Sequence, residues 1–129
     1  MTVIWLRVST IGGSISSIVG GAIASRDFTP VHHEKAAAQA AGLPDVFMNI
    51  LTSNGLVQRF VHDWAGPGAR IRSLKMRLGA PNFPGDALRL SGTVTTREVI
   101  GKEKIVEVAV SGRNRLGEHV TATVRLALP

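Results

Sequence analysis

Between residues 46 and 64 the chain carries apolar side chains at helical spacing on more than one face, and this restricts its fold more than any other feature. Phe47, Ile50, Leu51, Val57, Val61 and Trp64 make one stripe, and Val46, Leu56 and Phe60 add a second. A helix of this kind has to be enclosed by other structure. Asp45, following Leu43-Pro44, is positioned to cap it, and Gly66-Pro67-Gly68 stops it near Trp64. Its first half is polar at Asn49, Thr52, Ser53 and Asn54. Polar groups buried there need hydrogen-bond partners, so they either cap and pack against backbone or line a polar site at the helix N-terminus.

The enclosing structure follows in sequence. Beyond Pro67, Arg70 to Leu78 reads as a strand whose alternation slips near Ser73-Leu74, as at a β-bulge. Pro84-Gly85-Asp86 is a turn. Leu88, Leu90, Gly92 and Val94 then alternate with Arg89, Ser91, Thr93 and Thr95. The same period returns in Lys104 to Arg113 and, past a hairpin turn at Arg115-Leu116-Gly117-Glu118, in Val120 to Leu128. Upstream, Glu34 to Ala41 predicts a short helix ending at Gly42, and Ser16 to Ala24 predicts an N-terminal strand. The apolar run Ile11 to Ala24 also imitates a secretory signal through Ala22-Ile23-Ala24, but it is rich in Gly and Ser, and only Arg7 gives positive charge before it. It is too short to span a membrane as a helix. The expected architecture is α+β: one domain over residues 1–129, an antiparallel sheet wrapped around a long central helix.

Composition excludes several functions. There is no cysteine, which removes disulfides, thiolate nucleophiles and zinc-finger sites and fits a reducing cytoplasm. Fifteen Lys and Arg against nine Asp and Glu give a net charge of +6, a surface that attracts anions, including the phosphates of coenzyme A. The basic residues are scattered from Arg70 to Arg125, and with four Phe, two Trp and no Tyr the stacking platforms of single-strand binders are missing. Nucleic acid is therefore not the expected partner. Arg70, Arg72, Lys75 and Arg77 could meet phosphates at a pocket mouth, although solvated strand positions explain them equally.

Acid/base chemistry gathers in Ser25-Arg26-Asp27-Phe28-Thr29-Pro30-Val31-His32-His33. Fully extended, the five residues from Asp27 to His32 would span roughly 17 Å. Pro30 fixes its own φ and biases Thr29 away from helix, so the segment turns. A turn brings a carboxylate and an imidazole to one point, where a straight strand would not. Taken alone, the pair also fits an Asx turn beside a surface imidazole. His33 reads as a solvated neighbour, His62 and His119 as structural or exposed, and Asp86 as a turn residue.

Asp27-x-x-Pro30-x-His32 ahead of a central helix resembles the MaoC-like, (R)-specific enoyl-CoA hydratases of the hot-dog fold. The likeness continues through Val46-Phe47-Met48-Asn49-Ile50-Leu51-Thr52 and Pro84-Gly85-Asp86. Arg26-Asp27-Phe28, Val31-His32-His33, Asn49-Ile50-Leu51-Thr52, Gly55-Leu56-Val57-Gln58-Arg59, Asp63-Trp64-Ala65-Gly66-Pro67, Gly112-Arg113-Asn114 and Gly117 to Val124 further resemble the small MaoC-like subunits of actinobacterial steroid side-chain enoyl-CoA hydratases. This resemblance covers the chain from about residue 20 onward and leaves out its first fifteen or so residues.

The resemblance implies hydration of a trans-2-enoyl-CoA to a 3-hydroxyacyl-CoA. Asp27 and His32 would hold one water, Asp27 as its base and His32 orienting it and relaying a proton, with the division between them left open. Coenzyme A would enter as part of the substrate, with no metal and no other cofactor. Met48, Asn49 and Ile50 would form the thioester-binding region at the helix N-terminus, where backbone N–H groups stabilise the developing enolate. The family usually has His-Gly where this chain has Met48-Asn49, while the steroid-type subunits share the Asn. The resemblance also implies pairing with a second hot-dog subunit, or failing that a homodimer, since an open sheet has edges to cover. Two other readings stay open: a hot-dog acyl-CoA thioesterase using Asp45, and a non-catalytic subunit stabilising an active partner. Retention of both Asp27 and His32 favours the catalytic member.

Overall fold

A computed structural model describes residues 4–5, 9–12 and 14–129; Arg7 lies outside them. The elements run β1 (Ile4–Trp5), β2 (Ser9–Gly12), α1 (Ile15–Ala24), a 3-10 turn (Pro30–His32), α2 (Lys35–Ala40), α3 (Ile50–Ala65), β3 (Arg70–Leu78), β4 (Ala87–Ile100), β5 (Glu103–Asn114) and β6 (Gly117–Leu128). The strands form one antiparallel sheet in the order β1-β4-β5-β6-β3, and β2 joins β4 on the same edge as β1. This is the expected hot-dog arrangement.

The alternating side chains of the sheet explain how it holds α3. Leu88, Leu90 and Val94 of β4, Val106, Val108 and Val110 of β5, and Val120, Ala122, Val124 and Leu126 of β6 form one buried face. Val57, Phe60 and Val61 of α3 pack onto it, each such apolar side chain contributing roughly 1.5–3 kcal/mol. Gly112 leaves room for its neighbours on this face, since a Cβ there would lie 2.7 Å from Val120 Cγ1 and 2.9 Å from Leu90 Cδ2. The N-terminal end of α3 is less enclosed than its two stripes suggest: Ile50 and Leu51 remain half exposed.

Two expectations need correction, and two more are borne out and made more specific. Residues 15–24 form a helix, not a strand. Ile15, Ile18, Val19, Ala22 and Ile23 are spaced i, i+3, i+4, i+7, i+8, a helical period that the β-branched residues and the Gly20-Gly21 pair disguise. Ser14 caps it by accepting from Ser17 N–H at 3.1 Å, and Ile18 and Ala22 are its buried face. Second, α3 begins at Ile50, with Asn49 as its N-cap. Asp45 instead accepts from the adjacent Val46 N–H at 2.8 Å, outside the helix. Third, the register of β3 against β6 shifts between Ile71 and Ser73, so the extra residue is Arg72. Fourth, the strand from Leu88 continues to Ile100, with its own register shift between Val94 and Thr96.

Candidate active site

Asp27 owes its position to the way α1 ends. Asp27 N–H donates to Ala22 O at 2.8 Å and Arg26 N–H to Ile23 O at 3.0 Å, the paired bonds of a Schellman cap. Such a cap needs a left-handed residue, and Arg26 takes that role at φ 56° where glycine is usual. The carboxylate then projects from the helix terminus. Its Oδ1 accepts from Thr29 Oγ1 at 2.7 Å and from Thr29 N–H at 3.3 Å. Its Oδ2 accepts from Asn49 Nδ2 at 3.1 Å.

Pro30 opens the 3-10 turn that carries His32 back over this carboxylate. The imidazole is buried, its ring edge-on to Phe47 with centroids 4.7 Å apart. Nδ1 lies 2.8 Å from the Phe47 carbonyl oxygen, which can only accept, so Nδ1 carries a proton. Nε2 lies 3.4 Å from Asp27 Oδ2. Two residues that a straight strand would separate by roughly 17 Å thus meet, and the Asp27 side chain keeps 20% of its surface open to solvent. The hydrogen bonds from Thr29 and Asn49 hold the Asp27 carboxyl below its ordinary value of 3.8, with the His32 charge adding a smaller effect. At neutral pH the carboxylate is ionised.

The three residues expected at the helix start behave differently. The Met48 side chain is buried with Ile18 and Val46, and its N–H donates to Asn82 O at 3.0 Å. The Asn49 side chain accepts from Thr52 N–H at 3.2 Å and from Thr52 Oγ1, while its amide donates to Asp27 and to Ser25 Oγ at 2.9 Å. Ile50 is the first helical residue, and its N–H has no acceptor among the described residues; the same holds for Leu51. These two amides sit at the positive end of the α3 dipole.

Other expectations find their places elsewhere. His33 is exposed and bonds to Phe28 O. Asp86 stabilises the turn by accepting from Phe83 N–H, and also pairs with Arg115 Nε at 2.6 Å. Arg70 and Arg72 pair with Glu103. Lys75 and Arg77 border a groove of about 640 Å³ on the sheet face away from α3, floored by Ser91, Ser111, Thr121 and Thr123. No helix among the described residues is long and apolar enough to cross a membrane.

Residues 8–114 match the MaoC like domain family. The chain belongs to the MaoC-like family. Within this family the chain is 49% identical over 116 residues to the 3-oxo-4,17-pregnadiene-20-carboxyl-CoA hydratase beta subunit of Mycobacterium tuberculosis, covering 90% of this chain and 87% of that one. The crystal structure of the ChsH1-ChsH2 complex from Mycobacterium tuberculosis includes a chain that matches at TM-score 0.92 and 47% identity, over 98% of this MaoC-like chain and 96% of the other. An (R)-hydratase from A. caviae matches at TM-score 0.84 over 95% and 93%, and at 18% identity it bears on the fold alone.

Proposed function

We propose that this MaoC-like protein hydrates a trans-2-enoyl-CoA thioester to the (R)-3-hydroxyacyl-CoA, with Asp27 and His32 as its catalytic residues. The observation that carries the reading is the 3.4 Å approach of His32 Nε2 to Asp27 Oδ2 while Nδ1 donates to Phe47 O. In the neutral ring this makes Nε2 an acceptor, like the carboxylate. One water donating a hydrogen to each then presents a lone pair to the β-carbon. As the C–O bond forms, Asp27 takes a proton from the water. Negative charge moves to the thioester oxygen, towards the N–H groups of Ile50 and Leu51. The proton returns through the dyad to the α-carbon, His32 serving as relay, so the net change is addition of water and both side chains end as they began. The reaction calls for no metal and no cofactor beyond the coenzyme A of the substrate.

The likeness to the mycobacterial beta subunit favours a bulky, steroid-side-chain acyl group, a cytoplasmic setting and assembly with a second hot-dog subunit, this chain being the catalytic member. The thioesterase reading lacks support at Asp45, which lies outside α3 with its carboxylate held by Val46 N–H.

The test is the loss of enoyl-thioester absorbance catalysed by the purified protein, alone and with its partner subunit. Asp27→Asn and His32→Gln should each lower kcat by at least about 100-fold with the protein still folded. Wild-type rates in both variants, or release of free thiol as the main reaction, would overturn the assignment.

A further inference from the structure

The orientation of Asp27 depends on the side-chain amide of Asn49, which could present either its NH2 or its carbonyl oxygen to the carboxylate. Asn49 Nδ2 faces Asp27 Oδ2; were the amide turned over, its carbonyl oxygen would face the carboxylate and repel it. What decides between the two states lies on the other side of Asn49. Thr52 N–H and Thr52 Oγ1 both donate to Asn49 Oδ1, leaving Nδ2 to face Asp27 and Ser25. The Ser25 hydroxyl donates onward to Gly21 O at 2.7 Å, so its lone pair is free to accept from Asn49. Every donor in this chain has one direction, from Thr52 through Asn49 to the carboxylate and to the end of α1.

Thr52 in turn depends on Gly21. A Cβ built on residue 21 would fall within contact distance of Thr52 Oγ1, 2.9 Å from its Cγ2 and 3.2 Å from its Cβ. The neighbouring Gly20 has nothing within 4 Å, so the demand for a missing side chain is specific to residue 21. The crossing of α1 over the first turn of α3 thus holds the Thr52 hydroxyl against Asn49.

We infer that Thr52, seated on Gly21, is a positioning residue that fixes the amide of Asn49 and through it the Asp27 carboxylate. Thr52 bonds to neither the carboxylate nor His32; it acts through Asn49. The inference rests on the proposed role of Asp27 for its catalytic consequence, though not for its effect on the carboxyl group itself.

Thr52→Val keeps the shape and the N–H cap but removes the hydroxyl. It should lower kcat roughly ten- to hundredfold with KM little changed, as expected for a misplaced catalytic group. The acid limb of the pH–rate profile should move upward, because the Thr29 bond and, next to it, the Asn49 bond hold the Asp27 carboxyl low, and the second of these is weakened. Thr52→Ser should restore both, and Gly21→Ala should reproduce the loss. Direct titration of the Asp27 carboxyl carbon by NMR separates this inference from the hydratase reading. An upward shift in Thr52→Val that Thr52→Ser reverses supports the inference even in a protein with no hydratase activity. An unmoved Asp27 titration in a folded Thr52→Val protein overturns it, whatever the wild-type activity.

Discussion

His119 offers a stability prediction whose size comes from its surroundings. The side chain is 2% exposed. Nδ1 donates to Ala80 O at 2.7 Å, so Nε2 accepts from the Ser53 hydroxyl, also at 2.7 Å. The ring thereby clamps β6 to α3 and to the loop after β3. His119→Ala removes two hydrogen bonds at about 1 kcal/mol each and leaves an imidazole-sized void worth about 2 kcal/mol more. The sum is about 4 kcal/mol, or roughly 12–20 °C in Tm for a domain of this size. Burial also pushes the His119 imidazole below its ordinary value of 6.5, against a smaller opposing effect from the Ala80 bond. The unfolded chain therefore binds this proton more readily than the folded one. Its contribution is complete above about pH 6.5 and falls away as pH drops from there towards the lowered folded value. The assay is urea unfolding of wild type, His119→Ala and Ser53→Ala at fixed protein concentration, between pH 5 and 8. A loss under 1 kcal/mol in His119→Ala would refute the clamp. So would Ser53→Ala costing as much in the His119→Ala background as in the wild type, since that would mean no coupling between them.

Two further substitutions test local conformations. Arg26→Gly should raise stability by about 1 kcal/mol, seen as a higher Tm, because glycine takes the left-handed position at φ 56° without the steric penalty. Gly112→Ala should cost roughly 1–3 kcal/mol in urea unfolding, since its methyl group meets Val120 and Leu90 inside the core.

The parts of the fold that were legible in the sequence are those where one face of an element meets a single environment. The alternation in β4, β5 and β6 maps directly onto the buried face of the sheet. The Asp27-Pro30-His32 spacing announced a turn because proline acts locally. α1 is hidden in the sequence because strand-forming Ile and Val obscure its helical spacing, and its stability comes from packing that local propensity does not report. The start of α3 is ambiguous in the sequence because Asp45 and Asn49 are both good caps, and the choice rests on the bond that Thr52 N–H donates to Asn49 Oδ1. Of the two readings of His119, structural or exposed, the structural one holds, but its partner Ser53 lies 66 residues away in sequence and is met only through the pairing of β6. The Gly21–Thr52 contact has the same character: two ordinary residues acquire meaning only where two helices cross.

If Asp27 and His32 add water across a carbon–carbon double bond, the new oxygen belongs on the β-carbon of an otherwise intact thioester. A trans-2-enoyl-CoA turned over in heavy-oxygen water, with the products resolved by mass spectrometry, reports that position. The expected result is label at the β-hydroxyl of an intact 3-hydroxyacyl-CoA, present in the wild type and lost in Asp27→Asn. Label in the carboxylate of a released free acid would contradict it, and so would undiminished β-hydroxyl label in the variant.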